Sequence, residues 1–111
     1  MIQPQELRLG NLIMEPYDNM VEVVDSIRDN EVNGEPTDYF NPIPLTEEWL
    51  IKLGFHEIFG VYAVYGREIN LKLMDGYWDV YFKGKHVSVI KHVHQLQNLY
   101  FALTGQELTL K

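Results

Sequence analysis

The chain has no cysteine, so disulfides, thiol nucleophiles and cysteine-based zinc sites are excluded from its chemistry. A cysteine-free chain suits a reducing compartment. No apolar run approaches the ~20 residues that span a bilayer. The start, Met-Ile-Gln-Pro-Gln-Glu, lacks the basic and apolar stretches of a signal peptide. The expected location is the cytoplasm, with no membrane partner. Basic residues are scarce: 9 Lys and Arg stand against 16 Asp and Glu, a net charge of −7. There is no glycine-rich phosphate loop, and Ser26, Ser88 and the four threonines sit in no recognisable nucleophile motif. These absences point away from an enzyme and imply no cofactor.

What is present fits one globular domain over residues 1–111, with 46% hydrophobic and 23% charged residues. The charge is unevenly placed. Residues 15–48 hold ten acids against Arg28 alone, whereas residues 49–111 hold five acids and seven bases. The first stretch should repel nucleic acid, and the second is permissive of it.

The hydrophobic pattern predicts an α+β fold. Leu12 to Met14 and Met20 to Ile27, joined by a Pro16–Asn19 turn, read as a β-hairpin or the start of a small SH3-like unit. Residues 28–44 are turn-rich, with Asn33-Gly34 and three prolines, and have room for one short strand around Val32. Thr46 as N-cap, Glu47 and Glu48 in the first turn, and Gly54 as C′ stop predict a helix over 46–53. Runs at 58–65, 68–74, 77–83 and 86–91 predict an antiparallel meander, with Asp75-Gly76 as a hairpin signal. Ile69, Leu71 and Leu73 alternate with polar residues, as do Trp78, Val80 and Phe82. Val93, Leu96, Leu99, Tyr100 and Leu103 recur at helical spacing and predict a packed helix over 94–104, ended by Gly105. A terminal strand is expected at Glu107–Leu110.

Each candidate site has a plain alternative. His92 and His94 share a face only in extended chain, and a zinc site would need His86 or Glu57 besides; no metal is expected. Asp29, Glu31, Asn33 and Gly34 fall at positions 1, 3, 5 and 6 of a calcium loop, but Phe40 stands where its bidentate glutamate belongs. Tyr77 and Tyr81 on one strand face, with Lys83, Lys85 and Lys91 nearby, form the nucleic-acid candidate. Asp79 between the tyrosines opposes it. Gln95, Gln97, Asn98 and Phe101 lie mostly off the helical stripe; Phe101 beside Gln97 and Asn98 on the outer face is an interface candidate, and equally a second core contact.

Two segments, "NPIPLTEEWLIKLGF" (41–55) and "VHQLQNLYFALTGQELTL" (93–110), introduced by "ELRLGNLI" (6–13), resemble small proteins of phages and mobile elements of Bacteroidota. The likeness covers about 40 of the 111 residues. It implies a setting, the cytoplasm of a bacterial host, and no catalytic residues. Small acidic proteins of that kind often bind a host protein, and some block CRISPR nucleases. The function expected from this resemblance is non-enzymatic binding and inhibition of a host nucleic-acid-handling nuclease. Asp18, Glu22, Asp25, Asp29, Glu31, Glu35 and Asp38 would form the partner-binding face; the alternative is an RNA- or single-stranded DNA-binding module.

Overall fold

The computed structural model describes residues 2, 4–64 and 66–110. It is an α+β protein whose strands lie in three antiparallel sheets. The chain divides into two compact units, residues 1–44 with 92–99 and residues 45–91 with 100–111.

In the first unit, β1 (Leu12–Met14) pairs with β2 (Val21–Val23) as the expected hairpin. The turn-rich stretch holds more than the one short strand anticipated around Val32. β3 (Ile27–Arg28), β4 (Glu31–Val32) and β5 (Glu35–Pro36) form a sheet of their own. Its tight end is Asn33-Gly34, both residues at positive φ (52° and 83°), the geometry of a type I′ turn. Strands of two residues are too short to show alternation in a sequence, which is why this sheet is not legible there. Ile2, Leu7, Ile13, Val24, Val32 and Phe40 make the core beneath these elements.

In the second unit, Thr46 caps α1 (Glu47–Lys52) by accepting a hydrogen bond from the Trp49 N–H at 3.3 Å. Gly54, at φ 97°, closes the helix: Gly54 N–H reaches Ile51 C=O and Phe55 N–H reaches Leu50 C=O. That is the paired bonding of a Schellman end, and Phe55 and Leu50 are both fully buried over it.

The meander follows in the strand order β10-β9-β8-β7-β6. Its strands are β6 (His56–Ile58), β7 (Val61–Ala63), β8 (Ile69–Leu73), β9 (Trp78–Phe82) and β10 (Lys85–Ile90). The expected single run at 58–65 is two strands, because Phe59 and Gly60 both take positive φ and turn the chain. The run's expected end, Tyr65, lies outside the described residues. Ile69, Leu71, Trp78 and Val80 are buried on one face, as the alternation predicts. Trp78 Nε1 donates to Leu45 C=O at 2.9 Å, and the Tyr62 hydroxyl meets the Glu47 carboxylate, so the segment that opens α1 lies on that face. Burial first, and then the Glu47 charge, raise the Tyr62 phenol above its ordinary pKa.

α2 (Val93–Thr104) gives residues 93–99 to the first unit and 100–104 to the second. The Gln95 side chain accepts the His92 N–H at 2.9 Å, a capping contact, and Gly105 at φ 76° follows the helix. Glu107–Leu110 forms no strand, contrary to expectation.

Candidate protein-binding surface

The polar residues of α2 are the first correction to the sequence reading. Gln97 is buried, not on an outer face: its Oε1 accepts the Leu12 N–H at 2.8 Å and its Nε2 donates to Gly10 C=O at 3.2 Å. Asn98 is half-buried. Its Oδ1 accepts from Arg8 and from Asn11 Nδ2, and its Nδ2 donates to Glu6 C=O. The arrangement satisfies backbone groups of residues 6–12 that no strand pairs. Asn11 itself is buried, and its Oδ1 accepts the Arg8 N–H at 2.7 Å. This network is scaffold. Phe101 stays partly open, at 39% exposure.

His92 and His94 stack with ring centroids 5.8 Å apart, although the helix begins between them. His94 is buried, with Nε2 3.2 Å from Glu6 Oε1, and burial holds its pKa below the ordinary value of 6.5 despite Glu6. Among the described residues no group of three or more His, Cys, Asp or Glu side chains could hold a metal ion.

The residues of the nucleic-acid candidate divide between the two faces of the meander. Tyr81 stands opposite His86 and Asn70, beside Asp79, which pairs with His86 at 3.0 Å. The Tyr81 ring meets the His86 ring edge-on at 5.3 Å. Lys85 is paired opposite Phe82, on the other face, and the Lys83 ammonium lies 5.4 Å from the Phe82 ring centre. Tyr77 precedes β9, and Lys91 follows β10, where its carbonyl accepts the Leu45 N–H. Tyr81 is thus brought together with an acid and a histidine, and Lys83 and Lys85 with the phenylalanine.

The acidic residues all fall in the first unit. Asp18 lies in the β1–β2 turn, Glu22 on β2, Asp25 just past it, Asp29 between β3 and β4, Glu31 on β4, Glu35 on β5 and Asp38 in a 3-10 turn, Thr37–Tyr39. Six are exposed and Glu22 is half-buried. Among the described residues none of the seven is ion-paired. By sequence the first unit carries nine acids against Arg8 and Arg28, so it holds the whole net charge of −7. The second carries seven acids and seven bases and is neutral.

That field acts on neighbouring groups. Burial, then the Glu22 carboxylate, then Asp18 raise the Glu15 pKa above its ordinary 4.5. The Tyr39 hydroxyl donates to Glu15 at 3.4 Å, and burial with the Glu15 and Glu35 charges raises that phenol in turn. The same unit has a groove of about 430 Å³ lined by Leu9, Ile27, Asp25, Glu31 and Arg28, with Ser26 and Gly34. Leu9, Tyr17, Met20, Val21, Val23 and Ile27 leave apolar surface exposed around these acids.

Comparison of the chain with protein-family models, curated proteins and solved structures finds no match.

Proposed function

We propose that this is a non-enzymatic binding protein whose acidic unit engages a basic, nucleic-acid-handling surface on a partner protein and competes there with phosphate. The observation that carries the reading is the confinement of the net charge to one unit, where Asp18, Glu22, Asp25, Asp29, Glu31, Glu35 and Asp38 form no ion pair among the described residues. Such charge is costly to keep together, because like charges oppose ionisation; at Glu15 burial first, and then the Glu22 charge, raise the pKa. It speeds encounter with an oppositely charged surface and opposes pairing with nucleic acid. The exposed apolar residues among the acids supply contact area that charge alone lacks. In the setting implied by the resemblance, the partner class is a host defence nuclease such as a CRISPR effector, and binding would inhibit it. The nucleic-acid alternative has weaker support, because the second unit has no positive excess and the register sets Lys85 on the sheet face opposite to that of Tyr81.

The test is capture of partners from a host lysate at low and moderate salt, with the natural chain and with Asp25, Glu31, Glu35 and Asp38 all changed to Lys. None of these four carboxylates takes a hydrogen bond or ion pair among the described residues, so the fold should survive the changes. The expected result is a nucleic-acid-binding partner released by excess DNA and lost in the variant. Equal capture by the variant, or no release by DNA, rejects the reading.

A further inference from the structure

The backbone of the first hairpin has one edge paired and one open. Leu12 N–H turns away from β2 to Gln97, and Met14 exchanges bonds with Asn41 on the same side. Alternate residues of an antiparallel pair bond in opposite directions, so Ile13 and Glu22 exchange the ladder bonds, and Val21 and Val23 face outward. The flanking bonds agree: Met20 C=O accepts from Glu15, and Val24 bonds with Asn11 and Gly10, all on the β1 side. On the outer side Val23 C=O accepts from Asn33 Nδ2 at 2.9 Å. Among the described residues, Val21 N–H, Val21 C=O and Val23 N–H have no partner. Natural edge strands are usually blunted by lysine, proline or a covering loop. This one carries exposed valines instead, Val21 at 43% and Val23 at 50% exposure, after Met20 at 62%.

From this we infer that β2 is a docking edge for an extended, basic segment of the partner, which adds an antiparallel strand. The inference rests on the proposed acidic-unit function and names its contact. Pairing fixes the ligand's pattern. Residues opposite Val21 and Val23 share their face and should be apolar, the residue between them meets Glu22 and should be Lys or Arg, and further bases on either side meet Asp18 and Asp25. The groove lined by Asp25, Glu31 and Arg28 starts two residues past β2 and carries two acids against one base. A second copy of this chain is the wrong occupant, because edge-to-edge pairing would set Asp18, Glu22 and Asp25 of each copy against like charges.

The probe is the blocked peptide Lys-Val-Lys-Val-Lys, titrated into the full chain while the Val21 and Val23 amide signals are followed. Its controls are the same peptide N-methylated at both valines and the acidic version Glu-Val-Glu-Val-Glu. The basic peptide should bind and move those two amides, and N-methylation, which removes two N–H donors from the peptide, should weaken binding by about tenfold. Val21→Pro, which removes an outward N–H and no bond of the fold, should weaken it similarly. If the N-methylated peptide binds as well as its parent, or the shifts fall elsewhere in the acidic unit, the edge inference is overturned and the acidic-unit reading stands. Failure of every basic peptide to bind overturns both. Equal binding of the acidic peptide removes the charge argument, and a dimer with Val21 and Val23 amides protected in the free protein assigns the edge to a second copy.

Discussion

The two units are stabilised by different means. In the second, strands of three to six residues repeat one ladder, and the inward residues of β8 and β9 supply the buried face. In the first, strands are two or three residues long, and much of the backbone is satisfied by side chains: Asn11, Asn33, Gln97 and Asn98. The first also carries the charge. Short strands hold few ladder bonds, so specific amides must complete the hydrogen bonding, and acids accumulate where few carboxylates are needed for the fold. The unit with the more regular backbone is electrically neutral, and the less regular one carries the net charge.

Core and network substitutions test that contrast first. Leu71 is fully buried in β8, and Leu71→Ala should cost about 2–5 kcal/mol in urea melts through lost contacts and a cavity. Gln97→Ala removes little apolar area but strands the Leu12 N–H and Gly10 C=O, and should still cost about 1–3 kcal/mol. A loss at Gln97 below about 0.5 kcal/mol, near the scatter of surface changes, would mean that the first unit does not depend on its amides.

The turns separate the units next. Asn33 takes a left-handed conformation that suits asparagine, and its amide also holds Asp25 N–H, Ser26 N–H and Val23 C=O. Asn33→Ala should cost about 1–2 kcal/mol. Phe59 takes the same conformation in the β6–β7 turn, where a phenylalanine is poorly suited, and its ring is fully exposed. Phe59→Asn should therefore raise stability by about 0.5–1 kcal/mol, seen as a higher melting temperature.

Smaller effects follow pH. Burial lowers the His94 pKa, so its contribution to stability is complete above 6.5 and is lost as pH falls through the depressed folded value. Glu15 has the opposite sign. Its folded pKa is raised, so the stability it gives below 4.5 is lost as pH rises through that raised value. Melting curves between pH 4 and 8 should be flatter at the acidic end for Glu15→Gln and nearer neutrality for His94→Gln. No change in either slope would contradict these assignments.

Legibility in the sequence divides along the same line. The alternation of Ile69 and Leu71 with Asn70 and Lys72, and the Thr46 and Gly54 ends of α1, write their structure into local pattern. Gln97 and Asn98 read as solvent-facing because no local rule distinguishes a solvated amide from one that completes a backbone 85 residues or more away in the chain. The structure bonds Glu6, Arg8, Gly10, Asn11 and Leu12 to Gln97 and Asn98, a link between distant segments that no local pattern announces. The seven acids were legible as a list. Their gathering into one unit, the unpaired edge of β2 and the separation of Lys83 and Lys85 from Tyr81 depend on strand register, which side-chain pattern did not determine in such short strands.

On the proposed function, the charged unit meets the partner and the neutral one does not bind nucleic acid. Amide-resolved NMR titrations at low salt, with a lysine-rich peptide and separately with a mixed-sequence single-stranded oligonucleotide, test it most directly. The peptide should move amides within residues 17–38, with affinity falling as salt is added, and the oligonucleotide should move none. Shifts confined to residues 77–91 on adding oligonucleotide, with residues 17–38 unmoved by the peptide, would contradict it.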